Sequence, residues 1–284
     1  MIIAVTGATG QLGRLVVHGL LEKVPPESVV AIVRDETKAA DLAAKGIEVR
    51  VASYDDRAAL DGALVGVDRL LLISSNEVGR RVPQHTNVID AAKAAGVGHV
   101  VYTSAPRATS SPLILAPEHK ATEEHLVASG VPHTVLRNGW YTENYVRLVD
   151  AARATGKVYA AAGDGRVASA SRADYAAAAV VVLTGEGHEG KVYELAGDYA
   201  WDFGELAGAI GDIIGAPVTY EPVDGPTLIQ IMTGAGVDEG TAGFFAALDA
   251  NIEAGLLAGA SGELSALIGR PTTPLLDGLR AAVS

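Results

Sequence analysis

Three evenly spaced glycines, Gly7, Gly10 and Gly13, follow directly on the run Ile2–Thr6 and open an amphipathic stretch from Gln11 to Lys23. A β-branched run that gives way to glycine and then to helical periodicity reads as a strand, a tight turn and a helix. Glycine lets that turn close, and it lets backbone N–H groups approach an anion at the positive end of the helix. The spacing GxxGxxG is a variant of GxGxxG in the same place, so the turn is expected to hold a pyrophosphate. An ordinary strand-to-helix turn is the alternative reading.

The rest of the first half repeats this unit. Val29–Val33, Ile47–Ala52, Arg69–Ile73, His99–Thr103 and His133–Arg137 read as further buried strands. Between them lie helical stretches at Glu36–Lys45, Asp56–Leu64, Arg81–Ala95 and Glu118–Ser129. Apolar runs that do not alternate strictly, separated by helices, indicate a parallel sheet covered on both faces. The expected fold is α/β: a doubly wound parallel sheet of the Rossmann type over residues 1–150. Beyond 150 the rhythm loosens, with strands at Lys157–Ala160, Lys191–Leu195 and Val218–Glu221. Helices are expected at Arg172–Leu183, Asp202–Ile214 and between Pro226 and Ala282. Residues 151–284 are therefore expected to form a smaller C-terminal α/β lobe for substrate, with some segments returning to the first domain.

Composition narrows the partners. Of 284 residues 49% are hydrophobic and 20% charged, which suits a packed core and not disorder. A formal charge of −12 argues against nucleic acid as a partner, because such a protein needs a basic face. The absence of cysteine excludes disulfides, a thiolate nucleophile and Cys-ligated metal. The seven histidines show no HExxH spacing, so no metal site is expected. The apolar run Ala176–Leu183 is too short to cross a bilayer, and the opening Met1–Val5 has no basic leader. The expectation is a cytoplasmic protein acting on a small molecule, without a membrane partner; a homodimer is left open.

Several residues bear on chemistry. Arg34 directly follows the second strand, where an enzyme for NAD usually carries an acid for the ribose hydroxyls. A guanidinium there favours a 2′-phosphate, so NADP(H) is the expected cofactor; Asp35, one residue on, keeps NAD open. Ser74, Ser75 and Asn76 follow the fourth strand and either line the cofactor's ribose and pyrophosphate or form a polar turn. Asn138, Gly139, Trp140, Tyr141 and Tyr145 cluster after the sixth strand. Asn138 and Gly139 offer amide bonds to a carboxamide, and the aromatic rings either stack on a nicotinamide or a flat substrate, with Trp140, Tyr141 and Tyr145 shaping the acceptor pocket, or pack a core. Arg172 either closes over the cofactor or caps a helix.

The usual proton-transfer pair Tyr-x-x-x-Lys is absent, although Thr103-Ser104 supplies a serine after the fifth strand. In the tyrosine's place stands His119, with Glu123 one turn on. His119 is the candidate proton donor; a solvated helix start is the alternative. Without the usual acid, a quinone or another conjugated acceptor fits better than a simple ketone, because its π-system spreads the incoming charge.

The strings TGATGQLG (Thr6–Gly13), IVRD (Ile32–Asp35), LLLISSNEVG (Leu70–Gly79), LRNGWYTENY (Leu136–Tyr145), AAGDG and SRADYAAAA (within Ala161–Ala179) together resemble the NmrA-like atypical short-chain dehydrogenase/reductases. The likeness runs from Met1 to about Gly197, then more weakly to the end, and is greatest to the quinone- and dye-reducing members. It implies a Rossmann domain with a small C-terminal lobe, NADP(H) in the cleft and hydride transfer to a planar acceptor. By position it places cofactor contacts on Gly7, Thr9, Gly10, Gln11, Leu12, Arg34, Ser74, Ser75, Asn76, Asn138–Tyr141 and Arg172. The pattern does not match at Leu113–Leu115 or Pro226–Ala260. NmrA-like chains also include non-catalytic redox sensors, which the missing acid suits equally well.

Overall fold

The computed structural model describes residues 1–283. Its first six strands are β1 (Ile3–Thr6), β2 (Val29–Val33), β3 (Glu48–Val51), β4 (Arg69–Leu72), β5 (His99–Ser104) and β6 (His133–Asn138). The helices between them are α1 (Gln11–Leu21), α2 (Ala40–Ala43), α3 (Arg57–Ala63), α4 (Arg81–Ala95) and α5 (Ala116–Ser129). Then come α6 (Val146–Thr155), β7 (Lys157–Ala160), β8 (Arg166–Val167), α7 (Arg172–Thr184), β9 (Val192–Leu195) and β10 (Trp201–Asp202). The chain ends with α8 (Phe203–Ile214), β11 (Thr219–Pro222), α9 (Gly225–Gly234), α10 (Glu239–Glu253), α11 (Glu263–Ile268) and α12 (Leu275–Val283).

The chain divides into two units. The first contains Met1–Thr109, Leu115–Asn138 and Arg172–Leu195; the second contains Ser110–Ile114, Gly139–Ser171 and the chain from Ala196 onward. Helix α7 and strand β9 thus return to the first unit.

The first unit is a doubly wound α/β fold. Its sheet runs β3-β2-β1-β4-β5-β6-β9, with every neighbouring pair parallel. Strands β1, β2 and β5 are buried at every position, as the Ile, Val and Ala of β1 and β2 require between two helical layers, and β5 buries His99, Tyr102, Thr103 and Ser104 as well. The chain order reverses between β1 and β4, which opens a crevice at their carboxyl ends. The stretch Glu36–Lys45 differs from a single helix. Asp35 accepts from Thr37 N at 3.0 Å and tightens Glu36–Ala39 into a 3₁₀ turn, leaving only four residues for α2.

A buried ion pair fastens the far side of the sheet. Arg137 on β6 places Nη2 2.6 Å from Glu123 Oε2 and Nη1 2.8 Å from Glu194 Oε1 on β9. Ser104 Oγ donates to Glu123 Oε1 at 2.6 Å. The carboxylate of α5 therefore ties β5 and β6, and through Arg137 β9.

In the second unit β7 and β11 form a parallel pair, and β8 and β10 an antiparallel one. Helices α9 and α10 close a small core of Leu228, Met232, Ala242 and Ala161. The carboxylate of Asp249 accepts from Ala161 N at 2.7 Å, and burial pushes its pKa up to about 6. Helix α6 was not expected from the sequence.

Replacing Arg137 by Leu strands the Glu123 carboxylate in the core. The expected loss is about 3 kcal/mol in urea unfolding, as for other broken buried pairs; a loss below the error of the fit would mean that Glu123 is solvated.

Candidate functional site

The site begins at the turn after β1. Gly7 has φ of +59°, which favours glycine. A Cβ on Gly13 would sit 2.2 Å from the Gly7 carbonyl oxygen and 2.8 Å from the Ala8 Cα, so only glycine allows α1 to start this close to β1. Gly10 is the N-cap of α1, and among the described residues no side chain caps it. The leading amides of α1, at Gln11, Leu12 and Gly13, have no acceptor within the helix, and Gln11 stands at the crevice. Such an end is a ready site for a phosphate.

A cavity of about 610 Å³ extends from that turn across the ends of β2, β3 and β4. Gly7, Thr9, Gly10, Gln11, Arg34, Ser74, Ser75 and Asn76 line it, so the structure brings eight expected residues together. Leu12 and Gly13 are buried in the first turn of α1 and offer backbone only. Asp35, Lys38, Tyr54 and Glu77 line it as well. Asp35 is turned to its own chain, with Thr37 N at 3.0 Å and Thr37 Oγ1 at 2.6 Å from Oδ1. Arg34 and Lys38 therefore bring two cations to the β2 side, against the bare amides on the β1 side.

Sequence periodicity gave no sign of what holds these loops. Tyr54, just past β3, places its hydroxyl 2.5 Å from Thr6 Oγ1 and 2.8 Å from the Ile73 carbonyl. Thr6 Oγ1 donates to the Leu71 carbonyl and accepts from Ile73 N, both at 3.0 Å. One hydroxyl pair thus fixes the ends of β1 and β4 relative to the loop after β3.

The loop after β4 is held from below by α4 and β5. Thr103 Oγ1 accepts from Ser74 N at 2.9 Å, and Arg81 Nε donates to the Ser75 carbonyl at 2.6 Å. His85 Nε2 accepts from Ser75 N at 2.9 Å, which requires a neutral ring protonated at Nδ1. That Nδ1–H donates to Thr122 Oγ1 at 2.9 Å, and Thr122 in turn donates to the Glu118 carbonyl. Burial, with help from the Arg81 charge, pulls His85 down to about 3, in agreement with a neutral ring. Arg81, Gln84 and His85 are buried polar residues at the start of α4, spent on a loop and not on an apolar core.

Other expected residues fall elsewhere. His119 is 4% exposed, shares a hydrogen bond with Tyr102 Oη at Nδ1 (2.7 Å) and does not line this cavity. Burial and the Arg81 charge pull it down to about 3, so it carries no proton to give near neutral pH. This corrects the expected His119–Glu123 relay: Glu123 is committed to Arg137 and Ser104, and His119 is neither solvated nor paired with it. Tyr145 is 6% exposed, with its ring edge-on to Trp201 (4.9 Å) and Phe203 (6.1 Å). Its ring therefore packs in the core, the second of the two readings open for these aromatics, and does not line this cavity. Asn138 is buried at the end of β6, and Gly139 and Trp140 follow it, partly exposed. Tyr141 bridges Ala170, and the Trp140 carbonyl accepts from Ala170 N at 3.1 Å. Arg172 opens α7, half-buried and outside this cavity.

Fold and cavity define a dinucleotide-binding α/β protein. The NmrA-like family model matches residues 1–265, and the chain belongs to that family. It is 52% identical to quinone oxidoreductase 2 of Escherichia coli (strain K12), over 97% of this chain and 96% of the relative. It is 32% identical to the NAD(P)H azoreductase of Xenophilus azovorans, over 98% and 97%. The crystal structure of the Escherichia coli NADPH-dependent quinone oxidoreductase complexed with NADPH superposes with a TM-score of 0.96 at 51% identity, covering both chains fully. That of Citrobacter sp. triphenylmethane reductase superposes with a TM-score of 0.95 at 40% identity, covering 100% of this chain and 99% of that one. Among the described residues no helix is long and apolar enough to cross a membrane.

The two buried imidazoles make stability acid-sensitive. In the unfolded chain each titrates near 6.5, whereas in the folded chain each waits until about 3. Between those values the unfolded chain binds more protons, so stability falls as pH drops through that window. Urea unfolding from pH 7 to pH 5 should show proton uptake on unfolding approaching two from this pair. A flat profile would mean that both rings titrate normally in the fold.

Proposed function

We propose that the chain is an NADPH-dependent oxidoreductase that passes hydride to a quinone or a similar planar conjugated acceptor. One observation carries the reading. Bare helix amides stand at one end of a single cavity and two cations, Arg34 and Lys38, at the other, the charge pattern of a diphosphate and a separate 2′-phosphate. Likeness to quinone, azo and triphenylmethane reductases supports a conjugated acceptor.

When bound, the nicotinamide supplies the hydride. The chain's own task is to hold and orient. Gln11 to Gly13 hold the diphosphate with backbone N–H groups, and Gly13 keeps those groups within reach. Arg34 and Lys38 hold the 2′-phosphate. Ser74, Ser75 and Asn76 line the path between, on a backbone fixed by Thr103, His85 and Arg81. Asn138, Gly139, Trp140, Tyr141 and Arg172 remain proposed contacts for the nicotinamide end. Neither His119, pulled to about 3, nor Tyr54, whose buried hydroxyl is pushed well above its usual range, can deliver a proton near pH 7. The proton that completes reduction comes from water, which a charge-delocalising acceptor tolerates and a plain ketone does not.

Purified protein should oxidise NADPH on addition of 1,4-benzoquinone, without any partner protein. Binding of NADPH with no turnover on quinones, azo compounds or triphenylmethane dyes would favour a redox sensor. Arg34→Asp should weaken NADPH by about 2 kcal/mol or more while leaving NADH within about twofold, since a charge-assisted bidentate contact is lost. Equal losses for the two nucleotides would remove Arg34 from the phosphate.

His85→Leu should raise the NADPH dissociation constant about tenfold with kcat little changed, because the Ser75 amide loses its acceptor. His85→Gln, which restores an acceptor oxygen, should recover most of that loss. If both variants bind equally, the imidazole does not position the loop.

A further inference from the structure

An ion pair bridges the cavity lining, and its two halves come from different loops. Arg34 follows β2, Glu77 lies in the loop after β4, and Arg34 Nη1 stands 3.0 Å from Glu77 Oε1. Both residues line the cavity. Among the described residues the Arg34 guanidinium is held by Glu77, and its side chain is otherwise 66% exposed. Glu77 is not equally dependent. Its second oxygen receives Arg80 Nη1 at 3.0 Å and Gln84 Nε2 at 3.1 Å. Arg80 Nη2 also donates to Asp55 Oδ1 at 2.9 Å, which fixes that guanidinium from the other side.

We propose that Glu77 sets the coenzyme preference of this site by holding Arg34, so that the chain accepts NADH as well as NADPH. The inference rests on the reading of Arg34 as the 2′-phosphate ligand. For a coenzyme carrying that phosphate, the guanidinium must exchange a carboxylate for it. Exposed ion pairs are weak, and Glu77 keeps Arg80 and Gln84 after the exchange, so no buried carboxylate is stranded. For a coenzyme with a free 2′-hydroxyl, Arg34 need not move. The Glu77 carboxylate is then an acceptor for the ribose, the part an acid plays at the second strand's end in NAD sites. Asp35 has one carboxylate oxygen, Oδ1, occupied by Thr37, whereas Glu77 already stands against Arg34. Glu77 is thus a positioning residue for NADPH and a direct contact for NADH.

The test is a double-mutant cycle on dissociation constants, read by nucleotide fluorescence without acceptor. It is paired with kcat/KM for both nucleotides on 1,4-benzoquinone. Glu77→Gln should tighten NADPH about fivefold, the upper range of an exposed pair, and should weaken NADH. In an Arg34→Gln background the same substitution should leave NADPH within about twofold, because its effect runs through Arg34. An unchanged NADPH constant in the single variant overturns the proposal. So does an equal tightening in the Arg34→Gln background, which would make Glu77 a plain repulsive charge. If the unaltered protein binds neither nucleotide, the reading of the site falls and this inference with it. If it binds both and Glu77→Gln moves neither, only the inference falls.

Discussion

The approach of α1 to β1 at Gly13 governs the rest of the site. With 2.2 Å between a would-be Cβ and the Gly7 carbonyl, no other residue lets the helix start where it does. That start leaves three amides without intrahelical acceptors, at the point where the sheet's order reverses. A helix moved outward by one side chain would still form. Its bare amides would no longer stand over the crevice into which the ends of β2, β3 and β4 deliver Arg34, Tyr54 and Ser74.

Around that fixed point the protein spends buried polar groups on backbone, not on apolar packing. Thr6 and Tyr54 join three strand ends through one hydroxyl contact. His85, Thr103 and Arg81 each take a main-chain group of the loop after β4. With Ser74 N, Ser75 N and the Ser75 carbonyl satisfied from α4 and β5, the loop keeps its shape beside the cavity. This preorganisation removes the cost of ordering the loop when a ligand binds, and it makes the site acid-sensitive, since the His85 imidazole must stay neutral.

Much of this was readable in the residues. The bounds of β2 and α4 fall at Val29–Val33 and Arg81–Ala95, where apolar runs and helical periodicity put them. Gly7, Gly10 and Gly13 declared the turn, and Arg34 stands at the strand's end because the run of Val and Ile stops there. What stayed hidden depends on contacts distant in sequence. Tyr54 meets Thr6 across 48 residues, and Glu77 meets Arg34 across 43, distances no local pattern encodes. His119 misled for the same reason. Its neighbours Glu118 and Lys120 make the segment read as solvated, while Tyr102, from the adjacent strand, draws the imidazole into the interior. Tyr145 likewise belongs to a cluster completed by Trp201 and Phe203, far along the chain.

The most direct test is a crystal structure of the protein grown with NADP⁺. Diphosphate oxygens should lie within hydrogen-bond distance of the amides at Gln11 and Leu12, and the 2′-phosphate on Arg34 with Lys38 near. A nucleotide bound away from the start of α1, or a 2′-phosphate facing solvent with Arg34 still on Glu77, would contradict it.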